Sequence, residues 1–229
     1  VNGFDSRNAS HILVTQLIKD EIDRASRYAD VLRRNSCATR ALSLYARSKG
    51  QSYLVRTLKP VLDEFFESRD SFEIEKILPD DPEAEKNVDM FIHYMSKLIN
   101  AITESVDYFP PELINICQTI FHSVKEKFPD YSFIAVGSFV FLRFLGPAIV
   151  SPDAENIILI SQTRDKRPLI TLAKVLQNMA NGSENLTRWP ILNKKLDIFK
   201  DFSNRIFEFL SKICTIDSKP NIEIRRDPE

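Results

Sequence analysis

The chain has 229 residues, enough for one large domain or two small ones with a substantial core. Its 31 basic and 32 acidic residues leave a net charge of −1, which gives no support to a nucleic-acid binder. Hydrophobic residues make up 43% and glycines number only 5, a composition that excludes a disordered chain and points to compact helical structure.

Residues 1–9 are polar and read as a flexible N-terminal end. From Ser10 the apolar positions Leu13, Leu17, Ile18 and Ile22 follow helical spacing, predicting a helix to about Tyr28. Periodicity then stops over Ala29–Ser36, and Asn35-Ser36 offers the N-cap of a helix over Cys37–Lys49, with Gly50 as its stop. Arg33 and Arg34 fall in the loop between. By composition they are two solvated surface arginines.

A helix follows over Gln51–Ser68, kinked at Pro60, then a connector over 69–80. Asp81-Pro82 starts a strongly amphipathic helix through Val88, Phe91, Ile92, Met95, Leu98, Ile99, Ile102 and Val106. Pro110-Pro111 opens another, to Phe128, whose apolar face includes Cys117. Asp130 starts a central apolar helix. There Gly137 and Ser138 allow another helix to approach closely, and Pro147 is expected to end it. Residues 152–166 read as a connector. Helices follow over Arg167–Ala180, stopped by Gly182, and over about Ile191–Ile213, before a polar tail. No internal repeat and no domain boundary stands out, so the reading is one all-α domain over residues 10–214, with 215–229 as tail or linker.

The central stretch, Phe133–Val150, has Arg143 as its only charge. A guanidinium stays ionised and carries five donors, so burying it without acceptors is very costly. Three readings compete: a short transmembrane helix with an arginine in it, a core helix whose arginine is merely satisfied, and a strut that holds a functional loop by donating to its carbonyls or to a carboxylate.

The run Phe141-Leu142-Arg143-Phe144-x-x-Pro147-Ala148-Ile149-Val150-Ser151-Pro152 resembles the signature of Ras GTPase-activating domains, of the kind found in neurofibromin and its fungal counterparts, the inhibitory regulators of the Ras–cyclic AMP pathway. The resemblance covers roughly Ile12 to Cys214. Val31-Leu32-Arg33-Arg34-Asn35-Ser36-x-Ala38-Thr39-Arg40 resembles the family's finger loop, and Lys174-Val175-Leu176-Gln177-Asn178-Met179-Ala180-Asn181 its KxLQxxAN segment. Register puts the finger at Arg33. Arg34 stands where neurofibromin has glycine and is the alternative.

The resemblance implies an activator that inserts Arg33 into a GTP-loaded Ras-family GTPase and so switches off Ras signalling. It further implies that Arg143 donates to the main-chain carbonyls of the finger loop. Leu32, Arg34, Asn35, Ser36 and Thr39 would shape that loop; Leu142, Pro147 and Ala148 would pack behind it. Lys174 and Asn181 would form the partner-facing groove, with the 152–166 connector at its rim. GTP and Mg²⁺ would be the partner's, with no cofactor or metal of the chain's own. A non-activating GTPase-binding scaffold of the same fold is the alternative.

Nucleotide-binding, zinc-protease and hydrolase motifs are absent, and the histidines, His93 and His122 among them, lack ligand spacing. By its own residues the chain therefore shows no complete active site and reads as a partner-binding protein; the resemblance makes it an enzyme activator, expected to be monomeric as a domain. Three scattered cysteines (Cys37, Cys117, Cys214) fit a reducing compartment. No signal peptide is visible, and a start at Val1 suggests a piece of a longer protein. The expected location is the cytoplasm, with recruitment to the cytoplasmic face of membranes.

Overall fold

A computed structural model describes residues 9–68, 72–75, 77, 81–158, 165–183, 186 and 188–216. The expected flexible N-terminal end and C-terminal tail lie almost wholly outside the described residues, as does much of the 69–80 connector.

Among the described residues the regular structure is all helical. The first helix, α1 (Ala9–Arg24), stops four residues before Tyr28, and a short 3₁₀ turn (Tyr28–Asp30) leads into the arginine loop. Helix α2 (Cys37–Glu67) runs unbroken through Gly50 and Pro60, so the expected stop at Gly50 is wrong. The glycine has another purpose there. A Cβ on Gly50 would lie 2.3 Å from the ring of Phe144, which is itself buried and stacked on Tyr53 at 5.8 Å.

In an ordinary helix Gly→Ala stabilises by roughly 0.5–1 kcal/mol. Gly50→Ala should instead overpack the core and cost about 1–3 kcal/mol. Thermal unfolding checks this: a rise in Tm would show that Phe144 can move aside.

Helix α3 (Ala84–Thr103) begins later than the expected start at Asp81-Pro82, with Glu83 at its N-cap and no side-chain cap; Asp81 belongs to the turn before it, accepting from the Glu83 amide at 2.8 Å. Its face of Val88, Phe91, Met95, Leu98, Ile99 and Ile102 is buried. Pro111 is the first residue of α4 (Pro111–Lys127), where its missing N–H costs no hydrogen bond. Cys117 is fully buried on α4, and burial pushes its thiol well above the ordinary range.

The central helix has three parts: α5 (Ser132–Gly137), a π-helical segment (Ser138–Leu145) and α6 (Gly146–Val150). Pro147 does not end it. Gly146 donates to the Phe141 carbonyl five residues back, and the wider π turn relieves the clash that a proline ring makes with the carbonyl four residues earlier. Among the described residues Pro129–Val150 is the one helix long and apolar enough to cross a membrane. In this fold it lies at the centre of the bundle, packed against α2, α4, α7 (Arg167–Ala180) and α8 (Leu196–Thr215).

Close approach at Gly137 is as expected: a Cβ there would meet the Ala180 carbonyl at 2.7 Å. Gly182 stops α7 with φ +69°, donating to Met179 O at 2.9 Å. A 3₁₀ turn (Pro190–Lys195) precedes α8, which therefore begins later than Ile191.

Candidate functional site

The arginine loop connects two well-anchored helices. At its far end Ser36 caps α2: its Oγ accepts from Thr39 N at 3.0 Å, while Thr39 Oγ1 accepts from Ser36 N at 2.9 Å. The buried Thr39 hydroxyl also donates to Arg34 O at 2.9 Å. At its near end Tyr28 stacks on Tyr131, with ring centroids 3.5 Å apart. Between these anchors Leu32 is fully buried and has φ +55°, a conformation costly for a branched side chain. That turn aims successive carbonyls at the central helix.

Arg143 receives them. Its Nε donates to Leu32 O at 3.2 Å, and its Nη2 to Arg33 O at 2.7 Å and Arg34 O at 3.0 Å. Its Nη1 donates to Asn35 Oδ1 at 3.2 Å. One planar guanidinium thus reads four consecutive loop residues, a geometry a lysine ammonium cannot reproduce. Burial lowers the Arg143 pKa from its ordinary value, and the Glu21 carboxylate raises it in part. The arginine is half-buried, and its donors meet fixed carbonyls, the arrangement that the strut reading expects.

The two loop arginines differ. Arg34 is exposed and forms an ion pair with Asp30 at 3.0 Å. Arg27 and Arg34 beside Asp30 hold its carboxyl below the usual range, Arg27 with the larger effect. Arg33 is half-buried and points along the central helix. Its Nη2 donates to Asn181 Oδ1 at 2.9 Å, and its Nε to Ser138 Oγ at 3.4 Å. The geometry therefore brings Arg33, Asn181 and Arg143 together.

Beside Asn181 opens a groove of about 370 Å³, lined also by Lys174, Gln177, Arg188 and Trp189. Lys174 is bound to Glu75 at 2.8 Å, and that contact is the main reason the Glu75 carboxyl lies below its usual range. Leu142 and Pro147 are half-buried, whereas Ala148 is fully buried and can act only from behind the surface. The turn after α6 is fixed by Glu155, whose buried carboxylate pairs with Arg47 at 2.5 Å and whose carbonyl accepts from Gln51 at 2.7 Å. Residues 159–164 of that connector lie outside the described residues.

A family model for the GTPase-activator protein for Ras-like GTPase matches residues 13–78 and 75–181. The chain belongs to this family. It is 56% identical over its full length to the inhibitory regulator protein IRA2 of Saccharomyces cerevisiae, and 55% identical, again over its full length, to IRA1 of the same yeast. It is 33% identical to the human Ras GTPase-activating protein 2 over 75% of its length. The chain spans 7% of the length of either yeast relative and 20% of the human one. The all-α fold expected from the motif is the fold observed.

Sequence reading did not single out Asp30, Glu75 or the link from Arg33 to Ser138. Asp30 and Glu75 are ordinary surface acids by spacing, and Ser138 is legible only as a small residue at a helix crossing. No group of three or more potential metal ligands occurs among the described residues.

Proposed function

We propose that this chain is the GTPase-activating part of a longer protein and that it switches off a Ras-family GTPase by lending Arg33 to the GTP-bound partner. The observation that carries the reading is the four-point hold of Arg143 on residues 32–35, which fixes the backbone of Arg33 before any partner arrives. Hydrolysis of GTP needs positive charge placed against the transferring phosphoryl group, and an arginine that stays ionised can bridge two of its oxygens. Prior fixing of the loop reduces the ordering cost at the moment of reaction.

Arg33 is the better finger of the two arginines, because Arg34 is engaged by Asp30 on the outer side of the loop. In the free chain Arg33 donates to Asn181 and Ser138; two hydrogen bonds from its guanidinium to neutral acceptors are replaced by stronger ones to anionic oxygens on release into a phosphate-bearing site. Lys174, Asn181, Leu142 and Pro147 form the surface offered to the partner, with the 152–166 connector at its rim. GTP and Mg²⁺ belong to the partner. Regulation of a lipid-anchored partner would place the chain in the cytoplasm at a membrane face. The test is single-turnover GTP hydrolysis by Ras with and without this chain, and acceleration is expected.

The same resting contact of Arg33 favours a second reading, a scaffold that binds GTP-loaded Ras and keeps its arginine to itself. Binding without acceleration would select it.

A further inference from the structure

Arg143 holds the arginine loop from one side, and a second contact holds it from the other. Ser36 Oγ donates to Glu21 Oε2 on α1 while accepting from Thr39 N. Ser36 thereby joins α1, the loop and the start of α2 through one hydroxyl. The other carboxylate oxygen, Glu21 Oε1, is buried and has no hydrogen-bond partner among the described residues. An enclosed carboxylate oxygen without a donor is destabilising unless a charge nearby compensates it. Lys127, the last residue of α4, is engaged by the carbonyls of Ile22 and Asp23 on α1. The Glu21 carboxylate also favours the charged form of Arg143.

The core contacts of α1 come from Val14, Ile18 and Ile22, so the bundle does not need Glu21. Its carboxylate faces the loop. We propose that Glu21 is a positioning residue for the arginine finger: its carboxylate clamps Ser36 at the start of α2, so that the Arg33 loop is fixed from α1 and the central helix together. This rests on the activator reading. A carboxamide in place of the carboxylate accepts from Ser36 only through a weaker, neutral hydrogen bond, so it loosens the clamp without emptying the place.

The experiment compares wild type, Glu21→Gln, Glu21→Ala and Arg33→Ala in single-turnover hydrolysis by Ras over a range of domain concentration. Thermal unfolding and amide hydrogen exchange of residues 32–36 are measured on the same samples. For Glu21→Gln the maximal rate should fall about tenfold with the half-saturating concentration within about twofold, the signature of lost transition-state stabilisation. Loop amides should exchange faster while Tm falls by no more than about 3 °C, the shift a loss of roughly 1 kcal/mol produces at this size.

Glu21→Ala should lose more; if it fails to fold, the isosteric Gln variant carries the test. A Gln variant with full maximal rate and unchanged loop exchange overturns the inference, as does a loss confined to half-saturation. If wild type gives no acceleration, the activator reading fails, and loop exchange alone still decides whether Glu21 orders residues 32–36.

Discussion

Replacing Arg33 by alanine should reduce the maximal single-turnover acceleration of Ras by about 10³-fold or more, the scale known for arginine fingers on Ras-type GTPases. The half-saturating concentration should change by no more than about threefold, because the interaction removed is one made in the transition state. Among the described residues the hydrogen bonds of this side chain go to Asn181 and Ser138. Tm should therefore fall by no more than about 5 °C, since hydrogen bonds from a half-exposed charged donor to neutral acceptors contribute roughly 1 kcal/mol in all. Arg34→Ala is the matched control. It breaks an exposed pair with Asp30 and should leave the rate within about threefold of wild type. If the two variants exchanged roles, Arg34 would be the finger.

Arg143→Ala should show a different pattern. It removes four donors at once and leaves the carbonyls of Leu32, Arg33 and Arg34 without the partner that fixes them. Hydrogen bonds from a charged donor contribute more than neutral ones, but these lie in a half-buried place, so the expected loss of stability is about 2–3 kcal/mol in all. That corresponds to a fall in Tm of roughly 5–10 °C. The maximal rate should fall about 10²-fold, with faster exchange of loop amides, because Arg33 would then enter the partner from a disordered loop. Arg143→Lys keeps the charge but not the planar fork, and should recover stability better than rate. Equal losses in Arg143→Ala and Arg143→Lys would instead show that the charge contributes nothing to the hold. Unchanged rate and exchange in both would remove Arg143 from the site.

Much of this was legible in the sequence, and the limits have physical causes. Amphipathic spacing located the helices because burial of one face dominates their stability; α3 and α7 follow it closely. Terminators were less reliable. Gly50 and Pro147 carry the residue types that end helices, yet each lies inside one. Gly50 is there because Phe144 lies against its backbone, and Pro147 because a π segment precedes it. Both depend on packing partners far away in sequence.

The site divides in the same way. Arg33 and Arg143 were found through their neighbours in long motifs, and the contact between their segments spans 110 residues. Glu21, Asp30 and Ser138 sit in no such pattern. An acid on a helix has the same appearance whether it faces water or closes onto Ser36, and only the fold distinguishes the two.

The grip of Arg143 is on peptide oxygens, with a side chain recognised only at Asn35. Every residue type offers the same carbonyl, so the hold is indifferent to what projects from position 34. That leaves an outward-facing place, next to Arg33, where charge and size can change without unfastening the loop. Arginine occupies it here. On the activator reading, a lineage could tune at that position which GTPase it prefers while the hold on the loop stays as it is.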